Sequence, residues 1–181
     1  GEDELGVQRF LCAHTIMLAL EGIPAIYIQS LFGSRNDYNR LEHTGRNRSI
    51  NRHIWQEQDL EASLADESSH HYLVFNELRR LIRIRRQHTA FHPNATQFTL
   101  HLGTQVFAFW RQSISRAESV FCLSNVTAES QSITLADINL ISTDSWHDLI
   151  SGQRFDDQAG QLVLLPYQTV WISNSRQQDQ A

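Results

Sequence analysis

The chain has 181 residues, 41% of them hydrophobic and 19% charged, which is the composition of a globular protein of one large or two small domains. Its formal net charge of −5 argues against a general nucleic-acid binder, which needs a basic face to displace counterions. The apolar run FLCAHTIMLAL is too short to cross a bilayer, and the acidic opening GEDELG is unlike the basic start of a signal peptide.

In chain order, Val7, Phe10, Leu11, His14 and Leu18 recur at helical spacing and predict a helix over Asp3–Leu20, stopped by Gly22 and Pro24. AIYIQ, Ala25–Gln29, is short, apolar and bounded by proline, the pattern of a buried strand. From Gly33 to His53 runs GSRNDYNRLEHTGRNRSINRH, with five of the chain's 15 basic residues, too polar and Asn-rich for a regular element. All 15 are arginine; the sequence contains no lysine. A long helix is expected from Asp66 to His88, with Tyr72, Phe75, Leu78 and Ile82 as its apolar stripe. Arg79, Arg80, Arg83, Arg85 and Arg86 then read as a solvated face suited to a helix C-terminus.

Beyond Pro93 the texture changes. QFTLHL, QVFAFWR, ESVFCLSN, QSITL, WHDLI, QLVLL and TVWIS are short runs rich in β-branched and aromatic residues, separated by Gly, Asn and Asp. They predict an antiparallel β-sandwich. Cys12 and Cys122 lie far apart in apolar runs and read as buried free thiols of a reducing compartment. The first half is incomplete by itself, because a strand buried on both faces needs neighbours for its backbone groups. Helix, buried strand, long loop and helix make the closing section of a (β/α)8 barrel, whose active sites lie in the loops after the strands. The expected fold is therefore α/β plus all-β. Residues 1–92 would be the C-terminal end of a barrel: its seventh helix, eighth strand, catalytic-face loop and eighth helix. Residues 93–181 would be a C-terminal β-sandwich.

LEGIPAIYIQSLFGSRND followed by GRNRSINRH resembles the sucrose phosphorylase group of the α-amylase superfamily, glycoside hydrolase family 13. GIPAIY is similar to that superfamily's eighth barrel strand. WHDLISG and LLPYQTVWIS are similar to the sandwich that follows the barrel. The resemblance implies a C-terminal piece of an enzyme that moves a glucosyl group from an α-glucoside to inorganic phosphate by double displacement. It implies no cofactor, no metal, no nucleic-acid or membrane partner, and a cytoplasmic location. Such chemistry needs two carboxyl groups about 5 Å apart. The family carries them after earlier strands, so no catalytic residue is expected within this chain and the chain alone is expected to be inactive. His147–Asp148 falls where the family has a D-L-x-x-G turn and reads as structural.

The same resemblance places Arg48 on the hydroxyls of the glucosyl ring. Asn36, Asn51 and Arg52 would organise the loop by bonding backbone carbonyls, and Asp37 would partner one of the arginines. Trp55 could offer a stacking face, and His53 core or rim packing. Two other readings compete with phosphorolysis: an α-glucoside hydrolase or transglucosidase of the same superfamily, and a non-catalytic carbohydrate-binding or interaction module. An unpaired barrel strand would also make the chain prone to self-association.

Overall fold

The computed structural model describes residues 3–138, 140, 145–157 and 160–175. They form two compact units, one of residues 1–24 with 81–181 and the other of residues 25–80. Compactness thus groups the chain differently from the change of sequence texture at 92/93.

The first unit is built on strands β1 (Thr96–His101), β2 (Val106–Gln112), β3 (Ser119–Asn125), β4 (Gln131–Thr134), β5 (Trp146–Asp148), β6 (Arg154–Phe155), β7 (Gln161–Leu164) and β8 (Thr169–Ser173). Seven of these eight are the seven expected runs; β6, only two residues long, is the addition. Six strands pair in the order β1-β2-β3-β8-β5-β6, and β4-β7 form a second, two-stranded sheet. Every pairing is antiparallel. Alternate residues of the large sheet, among them Ala108, Phe121, Leu123, Val170 and Ile172, join Ile133, Leu162 and Leu164 of the small sheet in one apolar core. This is the expected sandwich.

The large sheet is buried on its other face too, which is why all seven residues of β3 are buried. Helix α1 (Gly6–Ala19) packs on β3 and β8 through a face of Cys12, Thr15, Leu18 and Ala19. That face is rotated from the expected stripe: only Leu18 is common to both, and Val7, Phe10, Leu11 and His14 are half-buried.

Two buried arginines hold the end of α1. Arg111 on β2 is 0% exposed and donates to the carbonyls of Ala19 (2.7 Å), His92 (2.9 Å) and Ala95 (3.3 Å). Arg85 donates to the carbonyls of Leu18 (2.5 Å) and Gly22 (2.9 Å). The last carbonyls of a helix lack intrahelical donors, and these guanidinium groups supply them. Burial pushes both arginines below their ordinary values. The expectation that Arg85 lies on a solvated face is therefore corrected: it is 8% exposed.

A carboxylate does similar work nearby. Glu118 accepts from His88 Nδ1 (2.5 Å), the Thr89 hydroxyl (2.6 Å) and the Ala90 N–H (3.0 Å). Burial alone would raise its pKa; the three donors outweigh burial and hold it below the ordinary value. Asp148 is 1% exposed and accepts from the N–H groups of Ile150, Ser151 and Trp171 and from the Ser151 hydroxyl. Gly152 closes this turn at φ 77, donating its N–H to the Asp148 carbonyl. The pair His147–Asp148 is thus structural, as its D-L-x-x-G setting suggested.

The unit of residues 25–80 departs further from expectation. Ala25–Tyr27 has no strand assignment, and helix α2 (Ile28–Leu31) begins where the strand should continue. Tyr27 and Ile28 are 49% and 50% exposed, so this is not a strand buried on both faces. The physical reason is the one that made the segment odd in the sequence: among the described residues no strand pairs with it, and an extended backbone gains its ladder only from a partner. The Arg/Asn stretch folds more than expected. It forms α3 (Tyr38–Thr44) and a 3-10 turn at Asn47–Asn51, with Gly45 ending α3 in the left-handed region at φ 61. The single helix expected from Asp66 to His88 is preceded by another, α4 (Glu57–Ala65), and begins later, as α5 (His70–Gln87). Its buried positions are Val74, Leu78, Leu81 and Arg85, so of the expected stripe Leu78 alone is buried.

Candidate functional site

The site is a cleft of about 400 Å³ lined by Arg35, Asn36, Asp37, Tyr38, Asn39, His53, Trp55 and His71. All eight belong to the unit of residues 25–80. Three short segments supply them: the turn into α3, the extended stretch after the 3-10 turn, and the first turn of α5.

Local chemistry explains why these segments meet. Gly33 adopts φ +61, and a Cβ there would stand 3.2 Å from the Val74 side chain, so glycine lets the chain turn tightly against α5. Phe32 stacks at a tilt on Phe75, with centroids 5.7 Å apart. The carbonyls of Phe32 and Gly33 then face α5, where His71 Nδ1 (2.6 Å) and His70 Nε2 (3.2 Å) meet them. The second knot is Asp37. Its carboxylate caps α3 by accepting the Arg40 N–H (2.9 Å) and pairs with His53 Nδ1 (2.9 Å). Its own N–H donates to the Ile50 carbonyl (2.6 Å), tying α3 to the 3-10 turn. The His53 bond first, and the Arg40 N–H second, hold the Asp37 carboxyl below its ordinary range.

Trp55 is the third knot. Its indole N–H donates to Ser34 Oγ (2.9 Å) and Gln29 Oε1 (3.2 Å), and Gln29 Nε2 in turn donates to the His53 carbonyl (2.8 Å). The indole lies nearly perpendicular to both cleft imidazoles, 84° to His53 at 4.9 Å and 88° to His71 at 5.0 Å. One tryptophan thus packs against both histidines of the cleft.

The residues singled out from the sequence divide. Asn36 and Asp37 line the cleft; Arg48, Asn51 and Arg52 do not. Among the described residues none of the Asn36, Arg48, Asn51 and Arg52 side chains has a hydrogen-bond partner. The Asn51 carbonyl accepts from the Tyr27 hydroxyl, which is a backbone role. In this structure the Asn36, Asn51 and Arg52 side chains thus make no loop-organising bond among the described residues. The organisers are Asp37, Gln29 and Trp55, and the partner of Asp37 is His53 and a backbone N–H rather than an arginine side chain. Arg48 is exposed on the 3-10 turn. Sequence reasoning missed His71 and Gln29; the only signal was His70–His71 at the start of a helix. Among the described residues no group of three or more His, Cys, Asp or Glu could hold a metal, and no helix is long and apolar enough to cross a membrane.

The fold is similar to that of solved structures that include an α-amylase from Geobacillus thermoleovorans and a trehalose-6-phosphate hydrolase. A structure of AmyP in complex with maltose matches 99% of this chain and 37% of its own, with a TM-score of 0.75 at 13% sequence identity. A Bacillus licheniformis trehalose-6-phosphate hydrolase matches 94% of the chain and 40% of its own, with a TM-score of 0.66 at 17% identity. Within that fold the relatives in sequence are phosphorylases. The chain is 36% identical over 172 residues to a glucosylglycerate phosphorylase of Escherichia coli (strain K12), covering 95% of this chain and 29% of the relative. It is 39% identical over 170 residues to a glucosylglycerate phosphorylase of Allomeiothermus silvanus, covering 94% and 28%. A sucrose phosphorylase of Agrobacterium vitis is more distant, 30% identical over 115 residues, covering 64% and 22%. The resemblance to the sucrose phosphorylase group thus extends along nearly the whole chain, which itself spans less than a third of the length of these relatives. No protein-family profile matches the chain.

Proposed function

We propose that this chain forms part of a retaining glucoside phosphorylase, contributing the end of its barrel (residues 1–92) and its sandwich (residues 93–181). The observation that carries the reading is identity of 36% and 39% to glucosylglycerate phosphorylases over 95% and 94% of the chain. The cleft supports it. Asn36, Asn39, Tyr38, the two imidazoles and Arg35 form a polar wall around one indole, the mixture that reads a ring of hydroxyls. The reaction would pass a glucosyl group from an α-glucoside, glucosylglycerate in the first instance, to inorganic phosphate. The likeness to amylases is a likeness of fold at 13–17% identity and gives hydrolysis less support.

Arg48 keeps the role that its register in GRNRSINRH suggests, holding hydroxyls of the glucosyl ring. Its exposed, unengaged guanidinium is what such a role requires before the ligand arrives. The carboxylates of the double displacement would belong to the portion of such an enzyme outside this chain, so the chain alone would release no product. A reducing, cytoplasmic setting fits the two buried free thiols, Cys12 and Cys122. The test is direct. The complete enzyme, given glucosylglycerate and inorganic phosphate, should form glucose 1-phosphate. Formation of free glucose at the same rate with and without phosphate would sink the reading, and turnover by the 181-residue chain alone would refute the placing of the carboxylates.

A further inference from the structure

We propose that His53 and His71 are the hydroxyl-reading residues of the cleft, both locked as Nδ1–H tautomers so that each presents an Nε2 lone pair to a polyhydroxylated ligand. The inference rests on the glucoside reading for its ligand, but its structural part stands alone.

The lock comes from behind each ring. His71 Nδ1 lies 2.6 Å from the Phe32 carbonyl oxygen, which can only accept, so Nδ1 must carry the hydrogen. His53 Nδ1 lies 2.9 Å from Asp37 Oδ2. That carboxyl is held ionised by its donors, so it too can only accept. Each neutral ring is left with one nitrogen, Nε2, bearing a lone pair. Among the described residues neither Nε2 has a hydrogen-bond partner, and both residues line the cleft.

Both rings are also held by one side chain. Trp55 packs edge-on against each, at 4.9 and 5.0 Å, and its own N–H is consumed by Ser34 and Gln29. It is a positioning residue. The charged and titratable groups around the pair are Arg35, Tyr38 and Asp37, which line the cleft with it, Arg40, whose charge acts on Asp37, and His70, packed against His71. The Nε2 acceptors complement the Asn36 and Asn39 amides, which can donate and accept. A sugar hydroxyl needs both kinds of partner, because it donates once and accepts as well. The arrangement therefore suits a polyol or sugar ring, and protonating either imidazole would turn an acceptor into a donor.

Long-range ¹⁵N–¹H spectra of this chain, recorded with neutral imidazoles, should show the hydrogen on Nδ1 for both His53 and His71. A hydrogen on Nε2 of either would overturn the proposal, whatever the enzyme does. In the complete enzyme, His71→Asn keeps a donor for the Phe32 carbonyl but removes the Nε2 acceptor, whereas His71→Gln places an amide near the lost nitrogen. The first should lower kcat/KM for the glucoside about ten- to a hundred-fold, chiefly through KM, and the second should recover a good part of it. Two variants equal to each other, or both equal to the wild type, would reduce His71 to a structural residue. Absence of phosphorolysis in the wild-type enzyme would refute the functional reading instead. In that case the spectra, and the shift of both imidazole signals on titrating the chain with methyl α-glucoside, still decide the inference: no shift at either ring counts against it.

Discussion

The two units use the same side chain in opposite ways. In the sandwich unit, Arg85 and Arg111 are buried and use four guanidinium nitrogens on five backbone carbonyls, with no carboxylate bonded to either among the described residues. In the unit of residues 25–80, Arg46, Arg48 and Arg52 are exposed on or beside a single 3-10 turn. A guanidinium stays charged in either setting, and its planar fork suits carbonyls, carboxylates and phosphates alike. What separates the two groups is the supply of fixed acceptors. The end of α1 offers carbonyls that the helix cannot satisfy, and a buried arginine repays its desolvation there. The arginines on or beside the 3-10 turn bond no such acceptor among the described residues.

The strongest attempt to break this contrast is Arg111→Ala. It would take the guanidinium from three carbonyls, of which, among the described residues, His92 alone keeps another donor, the Ala95 N–H, and open a cavity under the sheet, and it should destabilise the chain by about 3–5 kcal/mol. Urea unfolding followed by tryptophan emission measures this, and a loss under 1 kcal/mol would mean that the carbonyls find other partners. Asp148→Ala should follow at about 2–3 kcal/mol, since four donors lose one acceptor group.

Glu118 sharpens the comparison by pH. Its carboxyl is depressed in the folded state, so its contribution is present above the unfolded value, about 4.3, and is lost as pH falls through the folded value. Glu118→Gln should therefore flatten the acid limb of a stability–pH curve while lowering stability by about 1 kcal/mol near neutrality. An unchanged acid limb would remove Glu118 from that window. The smallest effect is expected from Arg48→Ala, within about 0.5 kcal/mol of wild type in stability. In the complete enzyme the same change should cost about 2–4 kcal/mol of transition-state stabilisation, read from kcat/KM for the glucoside. A large stability loss without a kinetic one would invert the contrast between the two units.

How much of this was readable beforehand depended on whether a segment's neighbours were written into it. The strands were legible because runs such as SVFCLSN carry β-branched and aromatic residues between turn residues, and one of that run's two partner strands, β2, lies close in sequence. The Asp148–Gly152 turn was legible through the resemblance of WHDLISG to the family's D-L-x-x-G turn. AIYIQ misled because its apolar character demanded partners that the described residues do not provide. Arg85 misled because helical position tells which turn a residue occupies, not what lies over it; its acceptors, Leu18 and Gly22, are more than sixty residues away. The cleft was the least legible. Asp37, Trp55 and the Arg/Asn stretch drew attention to its rim, but His71 becomes a site residue only when α5 brings it beside Trp55.

The two cysteines carry a different kind of information. Cys12 lies at the face of α1, with its Sγ 3.7 Å from the Thr169 hydroxyl, and Cys122 lies in the middle of β3 at 1% exposure. Burial pushes both thiols up, so neither offers a reactive thiolate in the closed structure. A thiol reagent can then reach them only through opening events: lifting of α1 for Cys12, and disruption of the sheet itself for Cys122. The sandwich unit thereby contains two internal clocks, and the ratio of their labelling rates measures how far the first helix comes away before the sheet does.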